Sequence, residues 1–125
     1  MVPVNANYVI TSDQTVKDAI LKISINLARC VIVTRDSSIV IGVVSEGDIV
    51  RALTDDISVY TSITKIMRPS FKYLNESSLE CALKLVQEQP GITLIPVVRP
   101  TVRSSVSLNL YVALTFPLVL CVSKL

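Results

Sequence analysis

The sequence contains no histidine and no tryptophan, and only three of its 125 residues are glycine. The absence of histidine excludes zinc sites built on imidazole and catalytic triads with a histidine base. The three cysteines, Cys30, Cys81 and Cys121, are far apart and lie among apolar residues, which is typical of buried thiols in a reducing compartment. No paired carboxylates suited to acid–base catalysis are present either. We therefore predict that the chain is not an enzyme, requires no cofactor and binds no metal.

Charge of either sign is also in short supply. The formal net charge is +2, and the twelve lysines and arginines are scattered along the chain. A nucleic-acid surface usually shows a basic stripe interleaved with aromatic residues, so we expect no nucleic-acid partner. The N-terminal stretch MVPVNANYV lacks the charged and long apolar regions of a secretory signal. Together with the cysteine usage, this predicts a cytoplasmic location.

What the chain does have is apolar residues, which make up half of it. A chain of this length is expected to fold as a single domain, residues 1–125, around one core. Its pattern is duplicated, because the apolar positions of one predicted helix recur 63 residues later (79 minus 16). Each set has the i, i+3, i+4, i+7 spacing of an amphipathic helix. The two sets are Val16, Ala19, Ile20 and Ile23 in the first half, and Leu79, Ala82, Leu83 and Val86 in the second.

Both halves continue in the same way. Each helix begins with a capping-box pair, Thr15 with Asp18 and Ser77 with Glu80. Apolar strands are then predicted, and a further helix closes the first half. The predicted segments are strands Cys30–Val33, Ile39–Val44 and Leu94–Val98, a turn at Arg35–Ser38 and a helix at Ile49–Leu53. A unit of about sixty residues buries both faces of its sheet only against a second copy, so we expect the halves to pack together with clefts between them.

One motif, Gly42–Ile49, allows two interpretations. Ser45 and Asp48 have the spacing of a capping box, in which each side chain bonds the other's backbone amide. The flanking glycines favour a second interpretation, since Gly42 permits close approach to the strand and Gly47 exposes amides of the first helical turn. Exposed amides at a helix start suit phosphate, and a carboxylate accepts hydrogen bonds from two ribose hydroxyls. The motif is therefore either a cap alone or a cap within a nucleotide site.

The segments Asp13–Ile20, Val31–Val33 and Gly42–Ile49 resemble a CBS domain. Two such units joined by SITKIMRP (Ser62–Pro69) resemble a tandem CBS pair, also called a Bateman module. The resemblance implies an α+β fold of two β-α-β-β-α repeats around a pseudo-twofold axis. Repeat one would span about residues 3–57, the linker about 58–69 and repeat two about 70–125.

The resemblance also implies a function and a site. Such modules are not enzymes; they bind AMP, ADP, ATP or S-adenosylmethionine between repeats and regulate an attached or associated enzyme or transporter. By resemblance, Ser45 contacts phosphate and Asp48 contacts ribose. Apolar strand residues, here Ile32 and Val44, are candidates to lie against adenine, and Thr11 and Arg68 to line the same cleft. The alternative is a module of the same fold that binds no ligand and mediates homodimerisation through its apolar surfaces.

The second copy departs from the motif after Val98. Aligning Val106–Ser107 with Val44–Ser45 puts Leu110 where Asp48 stands and Ser104 where Gly42 stands. Leucine cannot accept a hydrogen bond, so we predict a degenerate second cleft and one ligand per chain. The apolar tail, Leu108–Val122, is shorter than a membrane span and contains Pro117. We expect it to form a final strand and helix, or an apolar surface covered by another subunit, rather than to cross a membrane.

Overall fold

The computed structural model describes residues 2–3, 6–36, 39–74, 79–89, 92, 94–100, 106–116 and 119–121; side chains are described for 6–36, 39–74, 80–89, 92 and 94–96. This part of the chain contains three α-helices and seven β-strands. The helices are α1 (Val16–Asn26), α2 (Glu46–Thr54) and α3 (Leu79–Glu88). The strands are β1 (Val2–Pro3), β2 (Val9–Thr11), β3 (Cys30–Arg35), β4 (Ile39–Ser45), β5 (Leu94–Pro100), β6 (Val106–Phe116) and β7 (Val119–Cys121).

The first half folds as β2-α1-β3-β4-α2, which confirms the element order predicted for repeat one. Strand β3 pairs with β2 in parallel and with β4 antiparallel. Thr15 caps α1 and Ser45 caps α2, each through a complete capping box, as their spacing predicts, although α2 begins at Glu46 rather than at the predicted Ile49. Part of the predicted turn at 35–38 and the predicted cap Ser77 lie outside the described residues.

The sheet of the first half is covered on both faces, which explains why residues 30–34 of β3 are all buried. On one face, side chains of the sheet pack against α1 and α2, and Val31, Val33 and Val44 are fully buried there. On the other face, Ile32 packs with Leu94 of the second half. The alternation of β strands assigns successive side chains to opposite faces, so the second face is the one that meets repeat two.

The linker is packed into the first half rather than loosely attached to it. Ile63, in a 3₁₀ turn at Ile63–Lys65, is fully buried in the same cluster as α1. Its amide donates to the carbonyl of Gln14 at 2.9 Å. Farther along, the linker runs beside β4, where Val43 and Arg68 exchange backbone hydrogen bonds of 3.0 and 2.8 Å. These contacts fix Arg68 against the edge of the first repeat.

The second half contributes α3, β5 and the long strand β6, and it joins the first half in one continuous sheet. Strand β6 pairs with β5 along its length and with β4 at Ile39↔Ser107 and Val40↔Val106. The prediction that a helix ends repeat two is wrong. Among the described residues of the tail, β6 continues to Phe116 and β7 pairs with it in antiparallel orientation. Tyrosine, valine, threonine and phenylalanine favour strands, and Pro117 disfavours helix.

Position 110, aligned with Asp48, lies within β6 rather than at a helix start. This supports the prediction that the second copy is degenerate. Among the described helices, none combines the length and the apolar character needed to cross a bilayer.

Candidate functional site

A cavity of about 280 Å³ lies where the first half, the linker and the second half meet. Repeat one contributes Ser45 and Asp48 at the end of β4, and the linker contributes Arg68. The second half closes it with residues that include Leu94. Its volume is near the lower end of small-ligand pockets, and its wall combines apolar side chains with a few polar groups.

Asp48 is the most deeply placed charge in this wall, with 7% of its surface exposed. It is buried because the capping box turns its side chain back toward the sheet. One carboxylate oxygen, Oδ2, accepts from the amide and the hydroxyl of Ser45, both at 2.9 Å. In return, Ser45 Oγ accepts from the Asp48 amide at 3.2 Å. The capping interpretation of this motif is therefore confirmed as local structure.

The other carboxylate oxygen of Asp48 is bound by two arginines. Arg51, one turn along α2, donates from Nη2 to Oδ1 at 2.5 Å, and Arg68 of the linker donates from Nε to the same oxygen at 2.7 Å. Both arginine side chains are mostly exposed to solvent, Arg51 by 62% and Arg68 by 58%. Asp48 thus accepts four hydrogen bonds, about the full capacity of a carboxylate.

These bonds decide the charge state of Asp48. Burial on its own raises the pKa of this carboxyl, but the hydrogen bonds from Ser45, Arg68 and Arg51 together outweigh burial and hold the pKa below its usual value. Asp48 is therefore ionised at neutral pH.

Ser45 has less freedom than the resemblance implies. Its hydroxyl has one proton to donate, and that proton is directed at Asp48 Oδ2. A phosphate dianion only accepts hydrogen bonds, so Ser45 binds phosphate only if it gives up this bond. Three other residues of the same cavity wall carry hydrogen-bond donors that could serve a phosphate: Arg68, Ser70 and Lys72. Of these, the sequence pattern pointed only to Arg68.

Gly42 is explained by the linker. A β carbon built at Gly42 would lie 2.8 Å from the carbonyl oxygen of Arg68 and 2.9 Å from Met67 Sδ. The close approach predicted for this glycine is thus made by another part of the backbone. It brings Arg68 to the position from which its side chain reaches Asp48.

The remaining predicted site residues lie elsewhere. Ile32 is fully buried in the cluster that includes Cys30 and Leu94, behind the cavity wall rather than in it. Val44 is fully buried on the opposite face of β4, against the helices, so the structure does not bring it to the cavity. Thr11 bonds Asp13 and Gln14 in the turn before α1 and does not line this cavity.

The β4 residue that does line the cavity beside Ser45 is Val43. Strand alternation carries this signal, because residues i and i+2 share a face, and Val44 lies on the other face of β4. Cys30 also lines the wall. Burial, assisted by the negative charge of Asp48, raises the pKa of its thiol to about 12. The thiol is therefore protonated at neutral pH and is not an activated nucleophile.

Comparisons with known proteins agree with this architecture. The sequence profile of the CBS domain family matches residues 2–55. The first half of the chain is therefore similar to a CBS domain. The match ends at Asp55, so it does not include the second copy. A comparison with curated protein sequences finds no significant match.

Solved structures extend the likeness into the second half. A CBS domain protein from Pyrobaculum aerophilum, complexed with AMP, is 17% identical over 85% of this chain and 78% of its own, with a TM-score of 0.65. The protein CBSX2 in complex with AMP is 21% identical over 86% and 83%, with a TM-score of 0.66. The CBS domains of a transcriptional regulator from Streptococcus pneumoniae are 23% identical over 82% and 81%, with a TM-score of 0.60. At these identities the likeness shows the fold, which is that of CBS-domain proteins.

Proposed function

We propose that this chain is a regulatory module that binds an adenosine nucleotide in the cavity between its two halves. The observation that carries the proposal is the ionised Asp48 carboxylate, buried in the wall of a cavity formed by both repeats and the linker. A carboxylate at such a position accepts hydrogen bonds from the vicinal hydroxyls of a ribose. Two CBS-domain proteins of the same fold are complexed with AMP, which supports this ligand class.

The cavity offers a place for each part of such a ligand. Val43, Phe71 and Leu94 are apolar wall residues from the first half, the chain after the linker and the second half, and they suit the faces of an adenine ring. Arg68 and Lys72 supply positive charge for phosphate. Ser45 remains a phosphate donor only at the expense of its bond to Asp48. Ile32 supports this wall from behind, whereas Val44 and Thr11 take no direct part in the proposed binding.

Regulation follows from where the cavity lies. A ligand that contacts walls from both halves favours the arrangement of the halves that makes those contacts, and so shifts their equilibrium. We propose that an attached or associated enzyme or transporter responds to this shift. The module itself catalyses no reaction, and we place it in the cytoplasm.

The proposal is tested by calorimetric titration of the chain with AMP, ADP, ATP and S-adenosylmethionine. We expect at least one of them to bind with a stoichiometry of one per chain, because the second copy lacks the carboxylate. At a concentration one hundred times its dissociation constant, that ligand stabilises the fold by about 2.7 kcal/mol, measurable as a raised melting temperature. If none of the four binds or shifts the melting temperature, the proposed function is wrong.

A second candidate function, homodimerisation, is favoured by an apolar groove between α1 and α2. The groove is lined mostly by apolar side chains, among which Leu27, Val50 and Leu53 are 69%, 58% and 41% exposed. A second copy of the chain is the partner proposed for it, since exposed apolar patches of this kind mark association sites. This function is compatible with nucleotide binding and does not require it.

We expect Val50→Lys to convert a dimer into a monomer by placing a charge in the groove. Lysine has a higher helix propensity than valine, so the fold should be retained. Leu83→Lys is the matched control, because Leu83 is a 45% exposed residue of α3 that does not line the groove. Light scattering coupled to size exclusion measures the mass of each variant. A monomeric wild type, or equal loss of the dimer in both variants, contradicts the second function.

A further inference from the structure

The site that would bind ribose is occupied by the protein's own side chains. Asp48 accepts two hydrogen bonds at Oδ2 from Ser45 and two at Oδ1 from Arg51 and Arg68. A carboxylate offers about four acceptor sites. A ribose hydroxyl therefore binds Asp48 only if one of these four donors leaves.

Arg68 is the donor best placed to leave. The two bonds from Ser45 belong to the capping box that starts α2, and Arg51 is held one turn away on the same helix and does not line the cavity. Arg68 lines the cavity, its side chain is 58% exposed, and its backbone is fixed independently by the pairing with Val43. Its guanidinium can therefore rotate without disturbing the helix start or the linker.

A guanidinium that leaves Asp48 needs another anion nearby. Among the residues whose side chains the structure describes, the charged ones that line the cavity are Asp48, Arg68 and Lys72, and Arg51 contacts Asp48 from outside. When a ribose occupies Asp48, Arg68 and Lys72 are left facing the cavity without that carboxylate. A ligand phosphate beside the ribose offers Arg68 a charge-assisted hydrogen bond that replaces the one it lost. A neutral nucleoside offers no such replacement.

We infer that this site selects anionic, phosphorylated nucleosides over neutral ones because Arg68 exchanges the Asp48 carboxylate for the ligand's phosphate. The inference rests on the proposed function and adds to it the ligand class and the residue that sets it. It makes Arg68 a selectivity residue that lowers the affinity for adenosine while raising that for AMP. It also couples ligand binding to the linker between the halves.

The test is a pair of calorimetric titrations, with AMP and with adenosine, on the wild type, Arg68→Ala and Arg51→Ala. In the wild type we expect AMP to bind at least about tenfold more tightly than adenosine, the lower limit for one charge-assisted hydrogen bond. In Arg68→Ala the affinity for AMP should fall about tenfold or more, while that for adenosine is unchanged or higher. In Arg51→Ala, which loses a donor to the same oxygen outside the cavity, the preference for AMP should remain.

The outcomes separate this inference from the function on which it rests. Equal binding of AMP and adenosine by the wild type overturns the selectivity mechanism and leaves nucleotide binding intact. A preference for AMP that persists in Arg68→Ala does the same. Arg68→Lys, which keeps the charge, should restore part of the preference, whereas a purely structural role for the arginine would weaken both ligands alike. Failure of every nucleotide to bind removes the proposed function itself.

Discussion

Gly42→Ala is expected to lower the free energy of unfolding by about 1–3 kcal/mol, the usual range for overpacking a filled site. The added β carbon would lie 2.8 Å from the Arg68 carbonyl oxygen, which is backbone and cannot rotate away as a side chain can. The linker must therefore move, and the two backbone hydrogen bonds between Val43 and Arg68 lengthen or break. Denaturant unfolding measures the loss of stability. Nucleotide titration measures the change in affinity that is expected if Arg68 is displaced from the cavity.

The other glycine of the motif, Gly47, provides a matched control, for which we expect the free energy of unfolding to rise rather than fall. At Gly47 a β carbon meets nothing closer than Arg51 Nη1, at 3.5 Å, which is an ordinary contact. Gly47 lies in the first turn of α2, where replacing glycine with alanine stabilises a helix by about 0.5–1 kcal/mol. If the two substitutions change stability equally, the packing of the linker on Gly42 is not the reason for that glycine.

Local features were the ones that the sequence could predict. The capping boxes at Thr15 and Ser45 and the order of elements in repeat one follow from spacing that a short window reveals. The close approach at Gly42 was also predicted, but a window of that size does not say whether a ligand or a backbone approaches. The structure shows the linker there, because Ile63 is buried against α1 and directs the chain back along β4.

Long-range features were not predictable in the same way. Arg68 is 20 residues from Asp48 in sequence, and its contact depends on the whole path of the linker. The sequence therefore did not reveal that the hydrogen-bond acceptor sites of Asp48 are all filled by the protein's own side chains, although Arg68 itself was expected at the cleft. The tail was predicted wrongly as strand and helix because an apolar run without charge has no clear period. There the pairing of β6 with β5 and β4 decides the structure.

Asp48→Asn is expected to weaken nucleotide binding and to cost more stability than the loss of a helix cap. The ligand loses the hydrogen bond to a charged group that the departure of Arg68 makes possible, worth about 1.5–3 kcal/mol, so the dissociation constant should rise at least about tenfold. In the protein, the amide nitrogen that replaces one carboxylate oxygen faces a donor, either Ser45 or an arginine. We expect the free energy of unfolding to fall by about 1–3 kcal/mol.

Asp18→Asn supplies the control that isolates the cap. Asp18 bonds the amide and hydroxyl of Thr15 at 2.9 Å each, the same distances as in the Asp48 box, but it has no arginine partner among its described bonds and does not line the cavity. Its replacement should cost about 1 kcal/mol, as helix caps do, and leave nucleotide affinity unchanged. If the two substitutions have equal effects on stability and on binding, Asp48 acts only as a helix cap and not as a ligand-binding residue.

The acid dependence of stability separates the two aspartates further. Hydrogen bonds from Thr15 lower the pKa of Asp18, and the Ser45 and arginine bonds outweigh burial to lower that of Asp48. A carboxyl with a lowered pKa in the folded state contributes stability above its unfolded pKa of about 3.9 and loses it as the pH falls through the folded pKa. Below about pH 4, therefore, the unfolding free energy of either variant should decline less steeply than that of the wild type. A saturating nucleotide should deepen the acid loss in the wild type and in Asp18→Asn but not in Asp48→Asn, because only an ionised Asp48 accepts from the ribose.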